Sequence, residues 1–599
     1  MNLSRHWIRR ILFERAKVTK TRVKELRKGS LLNSLTTSLQ KILLSAAGIT
    51  VFASPLMGAT QSNITPVGSN TKISYDDAKK IHTITTDKIR DKNAFNAFKT
   101  FTLSSGEMAN LYLPDGTENL LNFVGDKINI SGTVNAIKNS NIGGNLYFLS
   151  SKGLILNKGG VINAGAFFAQ TPSQTVMDHI LTDTGINLSY SEEIDDIVNC
   201  NFTNRNKQTY LTGLTIAPDG EIVINGTINT LNGIGLYGGG HPQKESTTGG
   251  VKIGATGQLN TLSTLAGVVN VEGITAGAVD LVADAGNIEI VSLSDTQHDY
   301  SAIGNYVLGY ANAGKLFTNN DVKKAYAEAK VDVEAGAKIT SRKDVTIEAI
   351  STNGQLGLIK PETRSGTYSY GSNFANVNSK INVYGTINAG GNVTVNSIAE
   401  NVFAPGSVTA LNLGLTMLGM ATPLNFNGYF SSIEVNSELN LNKNSSITAG
   451  KEIKLKSDSF SNFEAGFSTA SIMTKKSVDS SAWLPSVDAV FAWNDSKSAL
   501  NLDGTIVSKA TTASNGKIGA ESVSENRINV SSTCANAQAD NPGIALAVGV
   551  GDNSATLNVN KDIDTDPKGN LYNEGAVVIT RSTEGLLDYC VYLESDNSK

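Results

Sequence analysis

Few residues in this chain have catalytic potential, and they are scattered. Asp195 and Asp196 stand side by side and could be paired carboxylates for glycoside hydrolysis, with Gly240-His241 supplying a histidine. That chemistry needs a proton donor and a base or nucleophile flanking one bond, whereas neighbours on a strand point to opposite faces. No further acid or arginine constellation accompanies the pair, so a solvated acidic loop around Glu192, Glu193, Asp195 and Asp196 is the simpler reading. The five histidines (His6, His82, His179, His241 and His298) show no ligand spacing. Cys200, Cys534 and Cys590 are far apart, and an odd number cannot all pair within one chain. Neither a phosphate-binding glycine loop nor a Gly-x-Ser-x-Gly elbow stands in a supporting context. The expectation is a chain with no catalytic residues, no metal and no cofactor.

The elements available to position side chains are short strands of one repeated kind. Lys127-Ile128-Asn129-Ile130-Ser131-Gly132-Thr133-Val134-Asn135-Ala136 alternates apolar and polar residues on either side of a glycine, the period of a half-buried strand broken by a turn or bulge. Close copies recur at Glu221–Thr230 and Lys380–Ala389, and a looser one at Ala499–Ser508. One such unit cannot bury its apolar face alone, but a stack of them can. The fold class expected is all-β: a right-handed parallel β-helix with an N-terminal cap and insertions leaving the stack. An ordinary β-sandwich is the alternative. Ile128, Val134, Phe148, Ile162, Ile224 and Ile387 are the expected inward-facing core. Asparagines at rung corners (Asn135, Asn163, Asn229, Asn388) are expected to stabilise turns or ladders.

Composition agrees with this. The 599 residues include 57 glycines and 12 prolines, with 17% charged and 7% aromatic residues, which suits many short strands and tight turns. Residues 1–28 carry ten Lys/Arg against Glu14 and Glu25, while Gln61 onward has 39 basic against 52 acidic residues, a net charge of −13. A basic end suggests nucleic acid, but the apolar run Ile42–Ala53 follows it and ends near small residues. That order is a secretory signal: residues 1–59, cleaved after Ala59 or Ala53, with no nucleic-acid partner. Asp76–His82 and Asn93–Phe98 read as short helical turns within the cap, and Thr171–Tyr210 as an irregular surface excursion. From Ala325 to Ile339 the period of two favours strand over helix.

Asn119-Leu120-Leu121-Asn122, the Ile128–Ala136 unit, Gly144-Asn145-Leu146-Tyr147-Phe148-Leu149 and Gly159–Ala169 follow one another in an order that resembles the secretion domain of filamentous-haemagglutinin-like exoproteins, and the leukotoxin-type filamentous adhesins most of all. The resemblance covers roughly residues 60–300, with repeat-like similarity over 301–599. It departs where the family's Asn-Pro-Asn-Gly turn is replaced by Ser150-Ser151-Lys152-Gly153. It implies a secreted adhesin exported by two-partner secretion, with an outer-membrane transporter as export partner and an unidentified host-cell or matrix receptor. Asn119, Asn122, Asn145 and Gly153 would be the secretion-motif residues. A β-helical carbohydrate-active enzyme and a leukotoxin-like cytolysin are the other readings, and the chain could be a piece of a longer adhesin.

Overall fold

The structure, a computed structural model, describes residues 62–202, 214–240, 249–265, 286–295, 324–356, 362–364, 368–404, 407–411, 425–471, 486–510, 517–536, 543–560, 563–564, 576–582 and 589–594. The expected signal, His6, His241 and His298 lie outside the described residues. Gln61–Lys599 forms one compact unit.

It begins with a cap made largely of antiparallel strands. Strand β1 (Asn63–Pro66) runs antiparallel to β5 (Asn93–Leu103), β2 (Thr71–Asp76) to β3 (Ile81–Thr86), and β4 (Ile89–Arg90) to β5. The helical turns expected at Asp76–His82 and Asn93–Phe98 are therefore hairpin and strand. Asp76 Oδ1 accepts the backbone N–H groups of Ala78 and Lys79, both at 3.1 Å, and Lys80 takes a left-handed φ of 56°. An Asx turn thus outcompetes a helix start. In β5, Phe95 and Phe98 are buried on opposite faces, which a strand packed on both sides allows.

Parallel stacking takes over from β5. Strands β6 (Met108–Tyr112), β7 (Asn119–Val124), β8 (Ile128–Ile130), β9 (Thr133–Lys138), β10 (Asn141–Ile142), β11 (Asn145–Leu149), β12 (Leu154–Leu156) and β13 (Val161–Gln170) set the pattern. β8 pairs with β12, β9 with β13, and β7 with β11, each in parallel. Three faces result. The repeated decapeptide is the corner between the first two: a strand of face I, a glycine turn, then a strand of face II. Gly132 occupies that turn because a Cβ there would overlap the carbonyls of Glu107 and Ser104 in the turn beneath. All six expected core residues are buried, and they belong to one apolar cluster that runs through the stack. The fold is a parallel β-helix.

Rungs lengthen along the chain. Asn93, Asn119 and Asn145 stack at intervals of 26 residues, whereas Asn382, Asn440, Asn501 and Asn558 stack at intervals of 58, 61 and 57. Face II stays short: Thr386–Ala389, Ser446–Ala449 and Thr505–Ser508 have four residues each. Growth falls on face I (Tyr368–Val383, Asn425–Leu441, Ser486–Leu502) and face III (Val393–Ala404, Ile453–Ser471, Ile518–Asn536). Beyond the apolar prism these two sheets pack on each other through small polar side chains. Ser379–Ser397, Ser437–Ser457 and Ser498–Ser522 meet Oγ to Oγ at 2.8, 2.9 and 2.9 Å, all buried. Paired hydroxyls meet the requirement that buried polar groups find partners.

The excursion after β13 holds two helices, α1 (Gln174–Ile180) and α2 (Ser191–Asn199). They are not a loose loop. Val176, Met177, Ile180, Ile194 and Ile197 pack with Phe95, Leu121, Phe123, Tyr147 and Leu149, the outward apolar residues of face III. The strand reading of Ala325–Ile339 corresponds to Lys324–Val333 and Lys338–Ser341.

Candidate functional site

Three of the secretion-motif residues, Asn119, Asn122 and Asn145, lie at the start or middle of strands, so their side chains act between rungs. Asn119 opens β7 and Asn145 opens β11, in register with each other and with Asn93. Asn145 Nδ2 donates to Asn119 Oδ1, and Asn119 Nδ2 to Asn93 Oδ1, each at 2.8 Å. Asn122 is fully buried; its Nδ2 donates to the Tyr147 carbonyl at 2.8 Å, and its Oδ1 accepts from Asn96 at 2.9 Å. A stacked amide donates to one neighbour and accepts from the other, so a column of identical residues stays satisfied as rungs are added.

A second amide column runs through the corner between faces II and III. Asn135 donates to Asn110 at 2.9 Å, Asn163 to Asn135 at 2.9 Å, Asn229 to Asn163 at 3.1 Å and Asn260 to Asn229 at 3.1 Å. Sequence reasoning named Asn135, Asn163 and Asn229 but missed Asn93, Asn96, Asn110 and Asn260. The equal 26-residue intervals of Asn93, Asn119 and Asn145 were the available signal. Asn388 lies on the same ladder as the second column, beyond Thr340, and is exposed on Thr386–Ala389.

Gly153 sits at the turn between β11 and β12 with φ of +90°, and a Cβ there would overlap the Glu221 carbonyl of the next rung. Glycine is required twice over, by conformation and by space. Ser150 supplies the turn's polar bonds: its Oγ donates to the Asp126 carbonyl at 2.9 Å and accepts from Lys152 N at 3.2 Å. Lys152 Nζ reaches Asp126 Oδ1 at 3.1 Å. The Lys127 N–H, and then Lys152, hold the Asp126 carboxyl below its usual range.

The carboxylates weighed for hydrolysis fall on α2, not on a strand. Asp195 pairs with Arg90 of the cap at 3.0 Å, and Asp196 Oδ1 accepts from Asn201 at 2.7 Å. Each is tied to a structural partner, and they do not face one another across a cleft. His179 Nδ1 lies 2.8 Å from Glu193 Oε1, its ring stacked on Tyr190, so it bridges the two helices. In the cap, Glu107 gathers Ser62, Tyr75 and His82. Burial pushes its carboxyl up, but the Ser62 and His82 hydrogen bonds, joined by the His82 charge and the Tyr75 hydroxyl, hold it below its usual value. Burial raises the Tyr147 hydroxyl, which donates to the Val198 carbonyl at 3.3 Å. Cys200 ends α2 in a left-handed conformation; Cys534 and Cys590 fall on strands Ile518–Asn536 and Tyr589–Glu594. Among the described residues no group of His, Cys, Asp and Glu is arranged to hold a metal ion.

No protein-family model matches the sequence, and no curated protein does. Among solved structures the chain is similar to the crystal structure of the HMW1 secretion domain from Haemophilus influenzae. The identity is 12%, the match covers 84% of this chain and 100% of that one, and the TM-score is 0.26. A likeness at that level decides neither fold nor function.

Proposed function

We propose that this protein is a secreted, non-catalytic adhesin: a β-helical rod exported through an outer-membrane transporter of the two-partner type. In this reading residues 1–59 are the signal, 60–300 the secretion domain and 301–599 the shaft. One observation carries it. Residues 119–169, which resemble the secretion domain of such exoproteins, are the first parallel rungs beyond the cap and carry its amide columns. Supporting it, every added rung of a parallel stack repeats the same backbone pairing, which lengthens a contact surface without requiring a cleft. The carboxylates weighed for hydrolysis are engaged by Arg90 and Asn201, which supports a structural role for them.

The test is fractionation of diderm cells that carry the chain with its cognate transporter. Deleting residues 119–169 should leave the signal working and trap the chain in the periplasm. Removing residues 400–599 should leave export intact, since later rungs only extend the stack. A 119–169 deletion that reaches the medium normally would sink the two-partner assignment. Purified protein that turns over pectin, polygalacturonate or host glycans would sink the non-catalytic reading.

A further inference from the structure

Most exposed apolar side chains among the described residues stand singly, but Phe491 and Trp493 do not. They are 39% and 52% exposed, two residues apart, and both face outward on the face I strand Ser486–Leu502. Residues at i and i+2 share a sheet face, so the two rings form one platform. The half-buried Val548 and Val550 of the next rung lie in register beside them. A stacked strand has no folding use for a tryptophan turned to solvent, and grouped apolar exposure of this kind marks contact surfaces.

What borders the platform indicates what it takes. Trp493 Nε1 donates to Asp495 Oδ1 at 3.2 Å, which ties the ring edge to the strand. Asp495 lies in register with Glu434 on one side and Asp552 on the other, so three carboxylates stand in a row across adjacent rungs. Like charges directly opposite on neighbouring strands repel. The partners in place are Lys497, with Nζ 3.7 Å from Asp495, and Asn376, which donates to Glu434 at 3.0 Å. Among the described residues one lysine offsets part of three negative charges. Aromatic faces attract cations, and carboxylates beside them complete a site for a guanidinium or ammonium group.

We propose that the Phe491–Trp493 platform, with Glu434, Asp495 and Asp552, is a docking surface for a basic polypeptide segment, engaged through arginine or lysine side chains. Guanidinium groups lie flat on the rings while their N–H forks reach the carboxylate row. The rung spacing of a parallel sheet, about 4.8 Å, sets the pitch of that row. The proposal rests on the adhesin reading only for its biological setting. Binding by purified protein is scored apart from attachment to cells, so failure of either is visible separately.

The experiment is fluorescence anisotropy with the mature chain (residues 60–599) and three labelled probes: an Arg/Gly-alternating nonapeptide, the same peptide with Ser for Arg, and a neutral glucan oligosaccharide. The arginine peptide should bind, and binding should weaken as salt is raised. Trp493→Ala should weaken it at least tenfold while Trp493→Phe keeps most of it. Glu434→Gln with Asp552→Asn should weaken it about tenfold and flatten the salt dependence. Asp115→Asn with Asp183→Asn, which removes two exposed charges elsewhere, should change nothing. Circular dichroism and thermal midpoints establish that each variant is folded. Equal loss in the remote pair would mean diffuse attraction to the net negative charge and would overturn the proposal. So would undiminished binding by folded Trp493→Ala, or binding of the oligosaccharide in place of the peptide.

Discussion

Replacing Asn135 with alanine tests whether the buried amide columns stabilise the stack. Asn135 is fully buried, donates to Asn110 at 2.9 Å and accepts from Asn163 at 2.9 Å, and both neighbours are also buried. Alanine would remove two hydrogen bonds and leave Asn110 Oδ1 and the Asn163 amide facing a void without water. Each stranded buried group costs ~1–3 kcal/mol, so the loss should be about 2–6 kcal/mol. Asn501→Ala is the control, because Asn501 sits in the partly exposed column between Asn440 and Asn558, at 2.8 and 2.7 Å. Water can replace its partners, and a loss near ~1 kcal/mol is expected. A solenoid opens in segments, so one global unfolding energy misrepresents it. The assay is hydrogen exchange of peptides spanning 133–149 and 161–170, where protection should fall roughly 30- to 20,000-fold at ~1.4 kcal/mol per factor of ten. A change below about threefold would show that the columns are passengers of the backbone ladders.

Phe148→Ala should cost ~3–5 kcal/mol as a core truncation, read as lost exchange protection in β7, β11 and β13. Gly153→Ala should reduce protection on both sides of the β11–β12 turn, because the new methyl meets the Glu221 carbonyl at a φ of +90°; protection there like that of wild type would contradict the overlap. Glu107, whose carboxyl is held below its usual 4.5, stabilises the cap above that pH, and the contribution is lost as pH falls through the depressed value. Glu107→Gln should therefore remove the acid-dependent part of cap protection between pH 5 and 3, and an unchanged pH profile would count against it. The α1–α2 cover should exchange before the rungs beneath it, because Arg90 Nη1, Gln170 Oε1 and Glu193 Oε2 along its contact are buried without a hydrogen-bond partner among the described residues. Equal protection of α2 and β7 would refute that order.

The corner between faces I and II was readable in the sequence, and with it the fold class. Alternation around a glycine, as at Ile128–Ala136 and Ile381–Ala389, is a local pattern, and the side-chain period of a strand turns it directly into an inside and an outside. The core residues followed from that pattern alone: Ile128, Val134, Ile162, Ile224 and Ile387. Length and period likewise favoured strand over helix after Ala325. At Asp76–His82 local pattern misled, because a carboxylate capping two N–H groups looks the same at a hairpin as at a helix start.

The packing of faces I and III was decided only by tertiary structure. Ser379, Ser397, Ser437 and Ser457 occupy alternate strand positions that suit solvent as well as they suit a tight interface. A serine has no intrinsic preference strong enough to choose, and what settles it is a second sheet arriving with hydroxyls at matching height. The helices of the excursion are similar: their apolar stripe has meaning only against the outward Phe95, Leu121 and Tyr147 of face III. The amide columns lie between the two cases. Their intervals are written in the chain, but an interval becomes a contact only when intervening insertions leave the stack, and Asn163 meets Asn229 across 66 residues for that reason. Sequence by itself determined which residues of each rung face inward, because that depends on neighbours two positions away. The stack decided which rungs meet, how wide they grow and what fills them, because those depend on partners tens of residues apart.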